Sequence, residues 1–298
     1  MLYNNLSSYL KSKYGCRLGK ICVDGGFTCP NRDGTVGHGG CIYCSGRGSG
    51  DHITEGTPIA EQVRLGLANA NASDKFIVYF QNFTNTYETC EVLRARYDAA
   101  LADGRIAVLA IGTRPDCIDE EKAALIASYK DRVDVWVELG LQCASDSIAA
   151  VINRGYETAV YRRACEILRA AEIPFVTHIM IGLPGESEAD VLETVRTVNE
   201  SAPFGVKIHS VYVPRGTELE KMYLCGEYIP LTLDEYAHRA AMAISHLNPN
   251  TVLHRITGDC PRELLVAPLW NADKFAVIEA INRALSERGE RQGSSFTG

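Results

Sequence analysis

Residues 20–44 read KICVDGGFTCPNRDGTVGHGGCIYC. A short apolar strand pattern, Lys20–Val23, runs into a glycine-dense segment that carries Cys29, Cys41 and Cys44 within 16 residues. Working outward, further runs of strand length follow at Phe76–Phe80, Ala107–Gly112, Asp134–Leu139, Phe175–Ile181 and Val206–Val213. Helical patterns alternate with them. They are opened by Thr57-Pro58 before IAEQVRLGLANA, by Asp119 before EEKAALIASY and by Glu186-Ser187 before EADVLETVRTVN, where side-chain caps or a first-turn proline favour initiation. Strand and helix alternating six times predict an α/β fold on a parallel sheet.

Against this rhythm the stretch from Gly25 to Gly50 is a long loop after the first strand. In a barrel of parallel strands the loops at the C-terminal strand ends build the active site, so this loop reads as functional. Beyond about residue 215 the alternation stops. Two helical patterns, Leu233–Leu247 and Asp273–Arg288, flank VLHRITGDCPRELLVAP. The expected organisation is a basic N-terminal segment (1–19), a core (20–215) and a C-terminal extension packed on it (216–298). The tail ERGERQGSSFTG is expected to be disordered.

Composition narrows the classes. The chain has 298 residues, 46% of them hydrophobic and 22% charged, as expected of a globular protein with a large core. No run approaches the roughly 18 apolar residues of a membrane span, and the first residues lack the apolar stretch of a signal peptide. The cytoplasm is the expected location, with no membrane partner. Eleven cysteines scattered over a long chain fit reduced thiols or metal ligation better than a disulfide framework. The formal charge of -7 argues against broad non-specific nucleic-acid binding, which depends on lysines and arginines meeting phosphates. It leaves room for a local basic face: no acid precedes Asp24, while Lys11, Lys13, Arg17 and Lys20 do. The alternative for this segment is a solvated, mobile terminus.

Cys41 and Cys44, two residues apart, can hold adjacent positions on one metal centre, with Cys29 as a third thiolate. Three ligands would leave one iron of a cubane cluster open to a substrate. A zinc site is the competing reading, with His38 or His52 as fourth ligand. The loop by itself leaves both open. The other eight cysteines fall mostly within strand or helix patterns and read as small buried hydrophobes.

GGFTCPNRDGTVGHGGCIYC resembles the cluster loop of bacterial YhcC/YtqA-type proteins, relatives of the radical S-adenosylmethionine (SAM) module of Elongator. Further motifs follow in register: YFQNFTNTY, GTRPDC, VELGLQ, INRGY, HIMIGLPGE and HRITGDCPRELLVAP. The eleven residues between Cys29 and Cys41 exceed the commonest radical SAM spacing, and Elongator-like proteins also widen it. The resemblance implies a partial (β/α)6 TIM-like barrel and a [4Fe-4S] cluster on Cys29, Cys41 and Cys44. It implies SAM on the open iron, cleaved by one electron to a 5'-deoxyadenosyl radical.

Carried over residue by residue, the resemblance sets Tyr43 near the adenine. It places Gln81 at a turn that meets the SAM amino group, Glu138 and Gln142 as acceptors for ribose hydroxyls, and Arg154 on the SAM carboxylate. Gly182 and Pro184 would let backbone approach the adenine. Each has a structural alternative: Arg154 could cap a helix, and Gly182 and Pro184 could simply end a strand. Glu138 stands out because an unpaired carboxylate in a buried strand is costly. Thr113 and Arg114 either line the pocket or terminate strand three. His254, Arg255 and Asp259 either face substrate or form a salt-bridged packing motif. The implied substrate is tRNA, with carboxymethylaminomethyl-uridine at the wobble position shortened to aminomethyl-uridine. The implied electron donor is a small protein such as flavodoxin or ferredoxin. A small-molecule or protein substrate and a zinc-stabilised binding module remain as alternatives.

Overall fold

The computed structural model describes residues 2–48, 50, 56–69 and 74–297. Nine strands are assigned among them: β1 (Leu18–Val23), β2 (Lys75–Phe80), β3 (Ile106–Thr113), β4 (Asp134–Gln142), β5 (Phe175–Ile181), β6 (Gly205–Ser210), β7 (Val213–Pro214), β8 (Val252–Arg255) and β9 (Leu265–Ala267). The helices are α1 (Leu6–Tyr14), α2 (Ile59–Asn69), α3 (Cys90–Ala100), α4 (Glu120–Ala127), α5 (Asp146–Val151), α6 (Thr158–Ala170), α7 (Glu188–Ser201), α8 (Glu218–Leu224), α9 (Leu233–His246) and α10 (Lys274–Glu287). Among the described residues no helix is long and apolar enough to cross a membrane.

One parallel sheet of seven strands, in the order β1-β2-β3-β4-β5-β6-β8, curls into an open barrel. Its strands are buried on both faces, so they read as continuous apolar runs. Alternate residues divide cleanly. Val78, Phe80, Leu109, Ile111, Val137, Leu139, Ile179 and Ile208 pack outward against helices that include α2, α3, α6, α7 and α9. Each such side chain contributes roughly 1.5–3 kcal/mol through burial. Ile77, Tyr79, Val108, Ala110, Trp136 and Val176 point inward. The helices start where capping chemistry dictates: Asp119 caps α4, and Ser187 with Asp190 forms a reciprocal capping box on α7.

Several expectations need correction. The sixth strand ends at Ser210 rather than at Val213, and β7 leaves the barrel to pair antiparallel with β9. A seventh parallel strand, β8, comes from the stretch read as an extension and pairs with β6. It is four residues long, and two of them, His254 and Arg255, are polar, so it carries little of the apolar run that marks the others. The N-terminal segment is not mobile. Asn5 caps α1, Gly15 ends it in the left-handed region at φ 73°, and Leu10 is buried in the barrel interior.

α1 closes the end of the barrel at which the strands begin. Lys13 and the Tyr14 hydroxyl both reach Asp134, the first residue of β4, the lysine at 2.8 Å. Tyr9 meets Phe204, just before β6, with ring centroids 5.0 Å apart. The C-terminal tail is ordered against the same end, correcting the expectation of disorder. Gln292 is buried, its side-chain amide donating to the carbonyls of Asn248 and Thr251 and its carbonyl accepting from the Asn4 amide.

Candidate active site

The cysteine loop stands at the opposite end of the barrel, after β1. Its backbone turns through positive φ at Gly34, Gly39 and Gly40, and a Cβ on Gly40 would meet the Arg32 side chain at 2.9 Å. Polar side chains then tie the loop to the segment after α5. Asn153 donates to the Gly40 carbonyl at 2.7 Å, Asn31 donates to the Asn153 carbonyl at 2.6 Å, and the Ile42 amide donates to Ile152. Arg32 bridges the carbonyls of Cys44 and Ser45 and lies 5.5 Å from the Phe83 ring.

These ties bring Cys29, Cys41 and Cys44 onto one wall of a cavity of about 240 Å³ at the C-terminal ends of the strands. Burial pushes the Cys41 thiol up to about 11, with Cys44 and Cys29 adding to the effect and Arg114 opposing it. Three thiols gathered on one wall fit a metal group that takes thiolates and repays their deprotonation. None of the eleven cysteines is joined in a disulfide. Of the other eight, Cys117, Cys143 and Cys165 are buried, Cys225 is exposed and the rest are half-buried, so the small-hydrophobe reading holds for only some of them. His38 is exposed and does not line the cavity; His52 lies outside the described residues.

Of the residues expected to bind cofactor or substrate, Tyr43, Gln81, Thr113, Arg114, Glu138, Gln142 and Arg154 line this cavity with the cysteines. Gly182, Pro184, His254, Arg255 and Asp259 do not. Gly182 is committed elsewhere: its amide donates to Glu186 and its carbonyl accepts from Tyr228.

Two charged residues are engaged differently from expectation. Arg154 is fully buried and spends all its donors on the protein: on the carbonyls of Leu141, Cys143 and Tyr156, on Thr158 and on Asp146. It clamps the turn after β4, and the expectation that it grips the SAM carboxylate is corrected by that saturation. Arg114, beside it, keeps N–H groups to spare after a two-pronged bond to Asp116 and one to the Arg154 carbonyl.

Glu138 resolves the puzzle of a carboxylate in a buried strand. Trp136 Nε1 donates to one oxygen at 3.1 Å, while His178 Nε2 at 2.8 Å and Lys207 Nζ hold the other. Burial alone would raise its carboxyl, but Lys207, followed by His178 and His254, outweighs burial and holds it well below the usual carboxylate range. With both oxygens taken, Glu138 is the centre of an ion-pair layer rather than a free acceptor for a ribose. Gln142 is the residue at this strand end that stays available. It sits on a bulge at φ 68°, a left-handed conformation imposed where the β4–β5 register shifts.

Sequence reasoning missed Asn31, Arg32 and Asn153, which shape the loop, and His178, Lys207 and His209, which form the cavity floor and the layer beneath it. A signal existed for the last two. Lys207 and His209 alternate in an otherwise apolar strand, the pattern of a polar group facing a barrel interior.

Comparison with known proteins now has a geometry to rest on. Residues 31–198 match the radical SAM superfamily and residues 203–287 match the radical SAM C-terminal domain. The chain belongs to the radical SAM superfamily. It is 37% identical over 298 residues to the uncharacterized protein YtqA of Bacillus subtilis, covering 99% of this chain and 92% of that one. It is 36% identical to the protein YhcC of Escherichia coli over 296 residues, 99% of this chain and 96% of the other. A tRNA uridine(34) acetyltransferase of Methanocaldococcus infernus is 28% identical over 222 residues, covering 73% of this chain and 40% of the acetyltransferase. The structure of M. infernus Elp3 superposes with a TM-score of 0.71 at 20% identity, over 92% of this chain and 64% of that one. The last comparison concerns the fold. As a radical SAM enzyme, the protein uses a [4Fe-4S] cluster and SAM.

Proposed function

We propose that this radical SAM enzyme acts on tRNA, shortening the carboxymethylaminomethyl side chain of wobble uridine to aminomethyl. The observation that carries the reading is the cavity itself. Three cysteines stand at its wall, and a charged layer of Glu138, His178 and Lys207 lies at and beneath its floor, where a polar side chain of an extruded nucleobase would find partners. The 28% identity to an enzyme named for tRNA uridine 34 supports the choice of substrate.

In this proposal Cys29, Cys41 and Cys44 hold the cluster, and their number leaves one iron for SAM. When bound, cluster and SAM supply a one-electron cleavage that yields a hydrogen-abstracting radical. The protein's share is placement and exclusion of water. Tyr43, half-buried beside Cys41 and Cys44, provides an aromatic face for the adenine. Gln81 meets the amino group, Gln142 the ribose, and Arg114, with donors to spare, the carboxylate. The methylene between the substrate's nitrogen and carboxylate would be the hydrogen donor, because both neighbours stabilise a radical on that carbon; loss of one further electron, with SAM consumed as the two-electron oxidant, would leave an imine that water hydrolyses to aminomethyl-uridine and glyoxylate. A flavodoxin- or ferredoxin-like protein delivers the electron in the cytoplasm.

Nucleoside analysis of total tRNA from a deletion strain tests the reading. Carboxymethylaminomethyl-uridine should accumulate and aminomethyl-uridine and its descendants disappear. An unchanged nucleoside profile would favour a small-molecule or protein substrate.

A further inference from the structure

The proposed shortening sets a proton free inside the cavity. An aliphatic secondary amine is an ammonium at neutral pH, with two hydrogens on nitrogen. When the neighbouring methylene gives up a hydrogen atom and then an electron, the carbon–nitrogen double bond forms only if that nitrogen also releases one proton. The proton needs an acceptor among the groups that line the cavity.

Few of them qualify. Arg32, Arg114 and Arg154 stay protonated, and a tyrosine phenol, which ionises at about 10, already holds its proton. Glu138 has one oxygen taken by Trp136 and the other by His178 and Lys207, and it is held well below the usual carboxylate range. The three cysteines are assigned to the cluster. That leaves His178 and His209.

The two imidazoles stand side by side, their ring centroids 5.1 Å apart, but they are held differently. His178 faces inward from β5, level with Lys207 of β6, and its side chain is 18% exposed where it lines the cavity. Its Nε2 lies 2.8 Å from an oxygen of the ionised Glu138, so Nε2 carries the ring's hydrogen and donates it. Nδ1 is then the acceptor. Burial, then Lys207, lower the His178 pKa against the pull of Glu138, so the ring is neutral at neutral pH and ready to take a proton. The imidazolium formed keeps the same carboxylate as its counter-charge, the logic of a histidine base oriented by an acid. His209 has a buried Nε2 without a partner among the described residues, and burial, followed by His178 and Arg255, holds it well below its ordinary range. A proton arriving there would find no carboxylate bonded to the ring.

We propose that His178, oriented by Glu138, takes the proton from the substrate nitrogen as the carbon–nitrogen double bond forms. The assignment rests on the substrate reading above. Atoms and charges balance: the methylene hydrogen leaves with the deoxyadenosyl group, SAM is consumed as the two-electron oxidant, and the nitrogen's proton goes to Nδ1. Water then supplies the aldehyde oxygen of glyoxylate and the two hydrogens gained by the aminomethyl nitrogen.

Two measurements test it. In protein labelled with nitrogen-15 histidine, without RNA or cofactor, the imidazole signals that disappear in His178→Gln should show the hydrogen on Nε2 at neutral pH. A hydrogen on Nδ1 would overturn the base. In the second measurement the reconstituted enzyme, in heavy water, receives SAM, dithionite and tRNA from the deletion strain. His178→Ala should still cleave SAM to 5'-deoxyadenosine, while its yield of aminomethyl-uridine falls at least about tenfold below wild type, general bases contributing roughly 10²–10⁴. The stalled carbon radical, reduced by dithionite, should return as carboxymethylaminomethyl-uridine carrying one solvent deuterium on carbon. A smaller fall in product, or deoxyadenosine and product falling in the same proportion, retires the base, the latter being the mark of a structural residue. If wild type itself leaves the tRNA unchanged, the tRNA reading falls and takes this assignment with it, whereas a wild type that converts the tRNA no faster than His178→Ala removes the base alone.

Discussion

Glu186 ends the turn after β5 with one oxygen on the Gly182 amide at 2.6 Å and the other buried without a partner among the described residues. Burial, partly offset by the Gly182 and Leu183 amides, raises its carboxyl from 4.5 to about 7. A carboxyl whose folded pKa is raised stabilises the fold fully below its unfolded pKa and loses that contribution as pH rises through the folded value. Stability should therefore fall by about 3 kcal/mol between pH 4.5 and 7, on 1.36 kcal/mol per unit. Thermal unfolding across this range should show the fall in wild type and a flatter profile in Glu186→Gln, whose neutral amide has nothing to ionise. Cysteine substitutions separate just as sharply. Replacing Cys29, Cys41 or Cys44 with Ala should abolish the visible absorbance gained on anaerobic reconstitution. Cys22→Ala, whose thiol belongs to the barrel interior beneath the floor, should keep it.

At this scale the sequence was legible where chemistry is local. Three cysteines in a glycine-rich loop announce themselves by spacing, and the cavity gathers them with Tyr43, Gln81 and Gln142. Arg154 was misread because its type and position suit a carboxylate clamp. Only the fold reveals that carbonyls of Leu141, Cys143 and Tyr156 consume its donors. Glu138 could be recognised as costly without a partner, but its partner stands 69 residues away on another strand, beyond the reach of any local pattern.

Among the elements, α1 is the instructive case. Its charges drew attention to a basic face, whereas its period decides its role. Leu6, Tyr9, Leu10 and Tyr14 recur at helical spacing and pack into the barrel, and Asn5 and Gly15 mark its ends. Of the four basic residues, Lys13 is tied to Asp134 and Lys20 lies on the interior face of β1, so they do not form one surface. Leu10→Ala should cost roughly 2–5 kcal/mol, read as a shift in the denaturant midpoint, because the surrounding barrel floor cannot collapse onto the void. β8 was illegible for a different reason. Four residues with two polar side chains carry too little periodicity, and the strand exists because β6 offers a ladder and Gly205 leaves room for His254.

Over the whole molecule, the alternation of strand and helix gave the right class because each βα unit repeats one physical problem, covering a strand on both faces. The barrel's two ends take separate tasks. Helix α1 and the tail around Gln292 seal the end where strands begin, and the cysteine loop and cavity occupy the end where they finish. An open barrel also leaves two terminal strands. β8 is bridged on its free side by Asn5 to Leu253, whereas β1 has ladder partners only on the β2 side among the described residues. A bare strand edge is an invitation for another chain to add on and aggregate, and an inward-pointing lysine is one of the ways proteins refuse it. Lys20 occupies that position on β1. Its charge keeps neighbouring molecules from stitching themselves onto the sheet, so removing it trades away solubility.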